Sequence, residues 1–334
     1  MKRGQSGLSL LVAVNKPSGM SSHDVVNTCR RIFEEKRVGH TGTLDPLTTG
    51  LLPICIGPAT KLDRFLTGHD KRYIARIGFG YETTTDDLAG SVTVRGELQP
   101  HLLDGRYAQT FVENLRGSHE QLPPQYRAIK VNGQRAYDAA RKGDHVDLEF
   151  RTIQIHEARL LGVQEDEESG LLCWDVEFFV SKGTYIRSLA RDIGRIVGTP
   201  AHLRSLCRIS AGNIDLEDAV TLDTLQNLKA SAALDPVAAL GFRYAFADAY
   251  ERFVVSGNAL REDQVSLMSP ISLKGGFGSC SCMGGNVIES DEAPAGGEIA
   301  SIVVGNRLKA LYRYVLPDRR WKAECVFQTG IVRG

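Results

Sequence analysis

The amino-acid sequence predicts an α+β fold in two domains. Its 334 residues suit two domains better than one, because domains average roughly 150 residues. A hydrophobic content of 42% and a charged content of 24% are typical of chains that bury a core. Strand and helix patterns follow one another without the regular alternation of a doubly wound parallel sheet, which favours α+β over α/β.

The N-terminal part is predicted to contain a strand, a helix and a loop. The apolar run 10–14 predicts the first strand. Ser21 and Asp24 form a helix start signal with an acidic residue in the first turn. The apolar residues at helical spacing, which predict about three turns, are Val25, Val26, Cys29, Ile32 and Phe33. Residues 39–53 are rich in Gly, Thr and Pro and are predicted to form a loop.

The central part is predicted to be mainly strands. They are expected at 73–77, 90–95, 146–155 and 171–180. The acidic run 165–168 predicts a solvent-exposed hairpin turn. Residues 119–143, which are basic and contain Pro123-Pro124, are predicted to form an ordered excursion that is partly helical at 137–141.

A second helix and an accessory domain follow. Thr184 is predicted to be the N-cap of a helix that runs to about Val197. Its predicted buried stripe comprises Ile186, Leu189, Ala190, Ile193, Ile196 and Val197. Leu234-Asp235-Pro236 is predicted to close the helical region. Residues 240–334 are predicted to form a small, mainly β domain, with strands at 301–304, 308–314 and 322–327.

The charge is balanced overall but uneven along the chain. Forty basic and 40 acidic residues give a net charge of zero, unlike a strongly basic nucleic-acid binder. Residues 1–80, however, hold 12 basic and six acidic side chains, and residues 301–334 hold seven and two. Two local basic surfaces for a polyanion are therefore expected on a neutral molecule.

The cysteines and the apolar runs predict a cytoplasmic protein. The seven cysteines include no C-x-x-C pair and accompany no secretory signal, so reduced thiols are expected. No apolar run is long enough to span a bilayer. Cys280 and Cys282 lack a second pair nearby, which favours a loop with two free thiols over a metal site.

The common cofactor motifs are missing from the sequence. It contains no G-x-x-x-x-G-K-[ST], no G-x-G-x-x-G after a strand, no H-E-x-x-H and no G-x-S-x-G. We therefore expect chemistry by ordinary side chains, without a metal or a tightly held cofactor.

The most unusual segment is 39–52, in which three glycines and several small hydroxyls permit close approach of a ligand. Asp45 precedes Pro46 there, a pair that favours a helix N-cap with proline at the first helical position. A catalytic carboxylate is the alternative interpretation. His40 is either a partly buried structural histidine or a functional one.

Two further segments carry candidate residues. Arg187 falls in the first turn of the predicted helix, against the preference of the helix dipole, and this suggests a specific carboxylate partner. Asp45 is one candidate, and a weak surface ion pair is the alternative. Tyr73 follows Lys71 and Arg72 at a strand start, so it is either a core residue or a platform that stacks on a base.

Together these segments resemble the bacterial tRNA pseudouridine synthase family that modifies the T-loop uridine at position 55 (TruB). The resemblance covers about residues 10–230 and is collinear. Its motifs are Asn15-Lys16-Pro17-Ser18-Gly19-Met20-Ser21-Ser22, Gly39 through Leu52, Lys71-Arg72-Tyr73, Pro123 through Gly133, Ala139 through Gly143, and Lys182 through Arg187.

The resemblance implies a fold and a reaction. The expected fold is a mixed β-sheet catalytic domain with a central cleft over 1–235, with an RNA-gripping insertion at about 119–143, and a PUA-like RNA-binding domain over 240–334. The expected reaction flips the T-loop uridine of tRNA out of its stack and isomerises it to pseudouridine. It implies no cofactor, no membrane, and a cytoplasmic monomer that binds the T-arm.

The resemblance also implies roles for individual residues. Asp45 is expected to be the catalytic group. The expected substrate-binding residues are His40, Tyr73, Lys130, Tyr185 and Arg187. A non-catalytic tRNA-binding or folding protein on the same scaffold, and a synthase for another RNA stem-loop, are the alternatives; the presence of Asp45, Tyr73 and Arg187 together favours the enzyme.

Overall fold

The computed structural model describes residues 6–124, 130–131, 134–135, 149–273, 289–290 and 292–334. At 130–131 and 134–135 the description covers the backbone. The helical stretch predicted at 137–141 and the Cys280 and Cys282 pair lie outside the described residues.

The structure mixes helices and strands, which confirms the predicted α+β class. The described strands are β1 (Leu10–Lys16), β2 (Val38–His40), β3 (Thr49–Ile56), β4 (Lys71–Phe79), β5 (Tyr81–Thr83), β6 (Val92–Arg95), β7 (Gly117–Gln121), β8 (Lys130–Val131), β9 (Gln134–Arg135), β10 (Arg151–Glu165), β11 (Leu172–Val180), β12 (Ala201–Ala211), β13 (Ile214–Asp215), β14 (Tyr244–Phe246), β15 (Leu260–Arg261), β16 (Ile299–Val304), β17 (Arg307–Val315) and β18 (Arg320–Val332). The described α-helices are α1 (Ser22–Ile32), α2 (Asp63–Leu66), α3 (Gly105–Glu113), α4 (Ile186–Val197), α5 (Leu222–Leu228), α6 (Pro236–Leu240) and α7 (Glu251–Ser256).

The chain forms two compact units. Unit 1 comprises residues 1–69 and 210–334, and unit 2 comprises residues 70–209. No described helix has the length and apolar character needed to cross a membrane.

Unit 1 contains the strands that flank the Gly- and Thr-rich segment. β1 runs antiparallel to β3, from Leu10 opposite Ile56 to Lys16 opposite Gly50. β2 also pairs with β3, so the chain leaves one strand of this group at His40 and re-enters another at Thr49. The loop between them is thereby held at both ends.

The C-terminal part of unit 1 is a five-stranded sheet in the order β14-β16-β17-β18-β15. Leu11 of β1 and Phe327 of β18 belong to one cluster of fully buried side chains, so the N-terminal strands and the C-terminal sheet share a core. A second cluster surrounds Trp321 and Tyr312 within the sheet. The strands predicted near 301, 308 and 322 are confirmed, each inside a longer one.

Unit 2 is built on a sheet in the order β12-β4-β11-β10-β7. β4, β11, β10 and β7 are antiparallel neighbours. Trp174 and Phe178 of β11 are fully buried. β5 and β6 form a separate two-stranded ribbon.

The helix predicted after Ser21 is confirmed. The Ser21 Oγ accepts a hydrogen bond from the Asp24 amide, and the Asp24 carboxylate accepts one from the Ser21 amide. This reciprocal capping box satisfies two donors at the start of α1. Val25, Val26 and Cys29 are buried, as the spacing predicts.

Two predicted boundaries were wrong. The loop predicted at 39–53 is confined to 41–48, because β2 and β3 take up its ends through pairing. The strand predicted at 146–155 begins at Arg151 and continues to Glu165, since it pairs with β7 on one side and β11 on the other. The exposed hairpin turn predicted at 165–168 is confirmed by the Asp166 amide bond to the Leu171 carbonyl at 2.8 Å.

The helix predicted to start at Thr184 differs from the prediction in its N-cap residue and in which of its side chains are buried. Tyr185 is the N-cap, because the Thr184 Oγ1 donates instead to the Ser181 carbonyl at 2.9 Å. Ile196 is 67% exposed, whereas Arg187 and Arg191 are buried. Contacts with a neighbouring acidic segment decide which side of α4 is covered, as described below.

Asp235 begins a helix where the sequence predicted the end of a helical region. Its Oδ1 accepts a hydrogen bond from the Val237 amide at 2.9 Å, which caps α6. Its Oδ2 pairs with Arg333 at 2.7 Å, a residue 98 positions away. A contact between residues so far apart in the chain produces no local sequence pattern from which it could be predicted.

Candidate active site

Asp45 lies on the loop 41–48, between β2 and β3, and is half-buried. Its carbonyl accepts a hydrogen bond from the Thr48 amide at 3.0 Å. The Asp45-Pro46 pair therefore starts a β-turn with proline at its second position, a site that the fixed φ of proline favours. The predicted helix N-cap at Asp45 was wrong, because the chain turns there and enters β3.

The backbone before Asp45 is anchored by Ser22, the first residue of α1. The Ser22 Oγ accepts from the Leu44 amide at 2.8 Å and donates to the Leu44 carbonyl at 2.9 Å. Ser22 is 3% exposed, so these bonds are shielded from water. One hydroxyl thus satisfies both polar groups of the residue preceding Asp45.

The backbone after Asp45 is anchored by Lys16, at the end of β1. Its Nζ donates to the carbonyls of Pro17 at 2.9 Å, Met20 at 2.6 Å and Pro46 at 3.1 Å. The Gly19 amide donates to the same Pro46 carbonyl at 2.9 Å. All three protons of the ammonium are therefore used, and one of them holds the residue that follows Asp45.

Lys16 is fully buried, and this has an electrostatic consequence. Burial lowers the pKa of Lys16 from 10.5 to about 8, and the negative charges of Asp45 and Asp24 partly offset that shift. At neutral pH, below this pKa, the side chain is a buried cation that donates to the carbonyl of the residue after Asp45. Sequence reasoning placed Lys16 in a motif but did not find this role.

His40 is the last residue of β2, opposite Ile54, and is half-buried. It directly precedes the loop 41–48. Within unit 1 the structure therefore places His40 and Asp45 at the start and the middle of one anchored segment.

In unit 2, Tyr73 occupies the third position of β4, opposite Phe178 of β11. Side chains at 71, 73, 75 and 77 are buried, and those at 72, 74 and 76 are half-buried or exposed. Tyr73 is 9% exposed and so belongs to the covered face of the strand. Lys71, on the same face, has a pKa lowered to about 8 by burial and by the nearby charge of Arg208.

Arg187 is the second residue of α4 and is almost fully buried. Its Nη1 donates to the Thr85 carbonyl at 3.1 Å and lies 3.4 Å from the Asp87 Oδ2. The prediction that Arg187 requires a specific carboxylate partner is thus confirmed for Asp87. Sequence reasoning missed Asp87, although the run Thr83-Thr84-Thr85-Asp86-Asp87 before Gly90 concentrates hydroxyl and carboxyl groups.

Arg187 is the first of three arginines one turn apart that meet acids of the segment 82–87. Arg191 Nη1 lies 2.8 Å from Asp86 Oδ2, and Arg195 pairs through two nitrogens with Glu82 at 2.9 and 2.8 Å. Residues four apart share a helix face, so one side of α4 is ionic. This explains why Arg187 and Arg191 are buried while Ile196 is exposed.

Asp86 is the most perturbed carboxyl of this group. Burial raises its pKa to about 6, against the lowering effect of Arg191 and Arg187. Its backbone has φ +61°, a left-handed conformation that is uncommon outside glycine, asparagine and aspartate. The Asp86 carbonyl also accepts from the Leu203 amide at 2.9 Å, which ties the segment to β12.

Tyr185 directly precedes α4 and is half-buried. Its amide donates to the Gln121 Oε1 at 2.9 Å, and its carbonyl accepts from the Gln121 Nε2 at 3.0 Å. The Arg151 guanidinium lies 5.2 Å from the ring centroid, a cation–π distance. Tyr185 and Arg187 are therefore neighbours at the start of one helix.

Lys130 lies in β8, and its side chain is outside the described residues.

Two family models match the chain. The model described as TruB family pseudouridylate synthase (N terminal domain) matches residues 30–186. The model described as tRNA pseudouridylate synthase B C-terminal domain matches residues 187–239. The two matches adjoin and contain all the predicted site residues.

Curated proteins named tRNA pseudouridine synthase B are similar over most of the chain. The Bacillus cytotoxicus protein is 40% identical over 227 residues, which cover 68% of this chain and 74% of that protein. The Bacillus anthracis protein is 42% identical over 216 residues, with 65% and 70% covered. The Staphylococcus haemolyticus protein is 40% identical over 227 residues, with 68% and 74% covered.

Solved structures share the fold at low sequence identity. A chain of an H/ACA RNP bound to a substrate RNA containing 2'-deoxyuridine has a TM-score of 0.65 at 19% identity, with 95% of this chain and 84% of that chain covered. A chain of a Cbf5-Nop10-Gar1 complex has a TM-score of 0.64 at 20% identity, with 96% and 84% covered. The sequence relatives and the family models together establish that this chain belongs to the TruB family of pseudouridylate synthases.

Proposed function

We propose that this protein is a tRNA pseudouridine synthase that isomerises the T-loop uridine at position 55 of tRNA. The family membership supports the reaction, and the names of the curated relatives support tRNA as the substrate. The T-loop position rests on the motif resemblance. An α+β fold without a nucleotide-binding loop suits an isomerisation, which needs no redox partner and no net hydrolysis.

The single observation that carries the proposal is the anchoring of the chain on both sides of Asp45. Ser22 holds Leu44 through two hydrogen bonds, and Lys16 and the Gly19 amide hold Pro46 through two more. A structural turn at the surface does not require a buried ammonium ion. A reacting carboxylate does require fixed geometry, because a misplacement of about 1 Å can reduce the rate a hundredfold.

The proposed reaction breaks the bond between N1 of uracil and C1′ of ribose, rotates the base and forms a bond between C5 and C1′. The C5 proton then leaves, and N1 carries a proton in the product. Asp45 acts as the nucleophile or as the anion that stabilises the positive character at C1′. The base must leave its stack to reach this carboxylate, so the enzyme flips it into a pocket.

The remaining predicted residues have supporting roles in the proposal. Arg187, whose guanidinium is positioned by Thr85 and Asp87, binds the RNA substrate. Tyr73 stacks on the detached uracil, and His40 packs against loop bases next to the vacated position. Tyr185 and Lys130 contact the RNA. We further propose a monomer that acts in the cytoplasm, with a catalytic domain over 1–235 and a PUA-like domain over 240–334.

The test is incubation with an unmodified tRNA transcript, followed by mapping of pseudouridine. We expect one modified uridine, in the T loop, and the same product from an isolated T-arm hairpin. A hairpin linearised by changing one stem strand should lose most of the rate, and a restored stem of different sequence should recover it, because loop shape presents the base.

Other outcomes would contradict specific parts of the proposal. RNA binding without pseudouridine in any RNA offered would identify a non-catalytic tRNA-binding protein. Pseudouridine in a different stem-loop would contradict the T-loop assignment. Equal turnover of linear and hairpin RNA would contradict recognition by loop shape.

A further inference from the structure

A cavity of about 310 Å³ opens in unit 1 beside the anchored segment. It lies where the end of α1, strand β2 and the helical turn 57–62 meet. The residues that line it include Arg30, Lys36, Arg37 and His40. The roles proposed above use His40 but none of the other three.

Neighbouring acids only partly neutralise the positive charges of this cavity. Among the described residues, no carboxylate forms an ion pair with Arg30, Lys36 or Arg37. Several half-buried or buried arginines elsewhere are paired, among them Arg76 with Asp175 at 2.8 Å and Arg333 with Asp235 at 2.7 Å. Three cations beside one cavity therefore retain their charge for a ligand.

The two guanidinium groups are nevertheless fixed in place. The Arg37 Nε donates to the Thr60 Oγ1 at 2.8 Å. The Arg30 Nε donates to the Lys36 carbonyl at 3.2 Å, and its Nη1 donates to the Asn27 Oδ1 at 2.9 Å. These acceptors are neutral, so they orient the groups without cancelling the charge. Both Nη groups of Arg37 lack a protein acceptor among the described residues.

One acid also lines the cavity. Asp63 contributes to the wall, and its Oδ1 accepts from the Thr67 Oγ1 at 2.7 Å. With three cations and one anion, the cavity keeps a formal excess of two positive charges. This favours an anion, and planar guanidinium groups match the geometry of phosphate oxygens.

We propose that this cavity binds a phosphate group of the RNA backbone, within a few nucleotides of the target base. His40 lines the cavity and directly precedes the loop 41–48, which carries Asp45. His40 and Asp45 are five positions apart, a length of chain that spans at most about 18 Å. A paired RNA strand presents phosphates every few ångströms, so a strand that reaches Asp45 brings several phosphates within that distance. The identity of the ligand rests on the proposed function.

The test compares the salt dependence of RNA binding in three proteins: wild type, the double variant Arg30→Gln/Lys36→Gln, and Arg31→Gln. Arg31 is exposed on the same helix, one residue from Arg30, and does not line the cavity. Loss of one phosphate contact should reduce the slope of log Kd against log salt concentration by about 0.7 to 0.9. We expect that reduction, with an affinity about tenfold weaker, in the double variant and wild-type values in Arg31→Gln.

A second measurement identifies the phosphate. Single methylphosphonate substitutions along the T-arm hairpin each remove one backbone charge. One position should weaken binding to the wild type but leave binding to the double variant unchanged, because the charged partner is already missing there. If the double variant does not fold, Lys36→Gln alone serves, since the Lys36 side chain makes no hydrogen bond among the described residues.

The possible outcomes distinguish this proposal from a site for free phosphate and from failure of the proposed function. Equal slopes in all three proteins would overturn it. Competition by inorganic phosphate at constant ionic strength, without any change in the RNA slope, would show a site for the free anion and would also overturn it. Absence of pseudouridine from every RNA contradicts the proposed function instead, because the binding slopes are measured independently of turnover.

Discussion

The Lys16 Nζ lies 3.1 Å from the Pro46 carbonyl, 30 residues further along the chain. This bond connects the end of β1 to the residue after Asp45 and is made by a fully buried ammonium ion. Burying a charge is unfavourable unless its donors are satisfied, and three carbonyls satisfy this one. The segment around Asp45 is therefore held by an interaction that the fold maintains against a desolvation cost.

Replacing this ammonium ion should impair turnover more than folding. In Lys16→Met the Pro17 and Met20 carbonyls lose their donor, and each unsatisfied group costs about 1–3 kcal/mol unless water enters. The Pro46 carbonyl keeps only its bond from the Gly19 amide. We expect kcat to fall at least tenfold while a folded protein is retained. Circular dichroism and single-turnover assays test this. Wild-type kcat in the folded variant would mean that the Pro46 anchor does not position Asp45.

The anchor on the other side of Asp45 can be tested separately. Ser22→Ala removes the hydroxyl that bonds both the amide and the carbonyl of Leu44. We expect the free energy of unfolding to fall by about 1–2 kcal/mol, with a measurable loss of kcat. Ser18→Ala, an exposed residue of the same motif, is the matched control and should match the wild type. Identical unfolding curves for the two variants would contradict the anchoring role.

Asp45→Asn should abolish pseudouridine formation and leave RNA affinity nearly unchanged. The substitution preserves shape and removes the charge that the proposed reaction requires. Turnover above about one per cent of wild type would contradict an essential anion. Filter binding of the T-arm hairpin and the melting temperature of the variant show whether the site is otherwise intact.

Arg187→Lys should also be severely impaired. Arg187 makes bonds from a planar guanidinium to the Thr85 carbonyl and Asp87, and an ammonium ion cannot reproduce that arrangement. We expect a loss in kcat of at least a hundredfold. Asp87→Asn should show a smaller loss, because the Thr85 carbonyl still orients the guanidinium. Near-normal kcat in Arg187→Lys would mean that its position does not matter for the reaction.

The raised pKa of Asp86 predicts that the free energy of unfolding depends on pH. Its pKa rises from 3.8 to about 6 in the folded protein, so the folded state binds more protons than the unfolded state between those values. The contribution of Asp86 to the free energy of unfolding therefore falls by up to about 3 kcal/mol as pH rises from about 4 to about 6. Asp86→Asn, which suits the positive φ, lacks this dependence.

The measurement is denaturant unfolding of the wild type and Asp86→Asn across that pH range. The stability of the wild type minus that of the variant should decrease as pH rises. A difference that increases with pH would show that the ion pair with Arg191 outweighs burial and lowers the pKa of Asp86.

The sequence by itself determined the local elements and the family. The capping box of Ser21 and Asp24, the spacing of Val25, Val26 and Cys29, and the alternation in β4 and β11 all involve residues within a few positions, so their physical causes are readable in the chain. The order of the motifs was sufficient to identify the family.

The tertiary structure alone decided how Asp45 is held and what Arg187 contacts. Asp45-Pro46 permits a helix start or a turn, and the pairing of β2 and β3 selects the turn. Arg187 meets Asp87 across 100 positions, and Lys16 meets Pro46 across 30. Such contacts leave no periodic signal, because they depend on where the fold places two distant segments and on burial that makes an unpaired charge unfavourable.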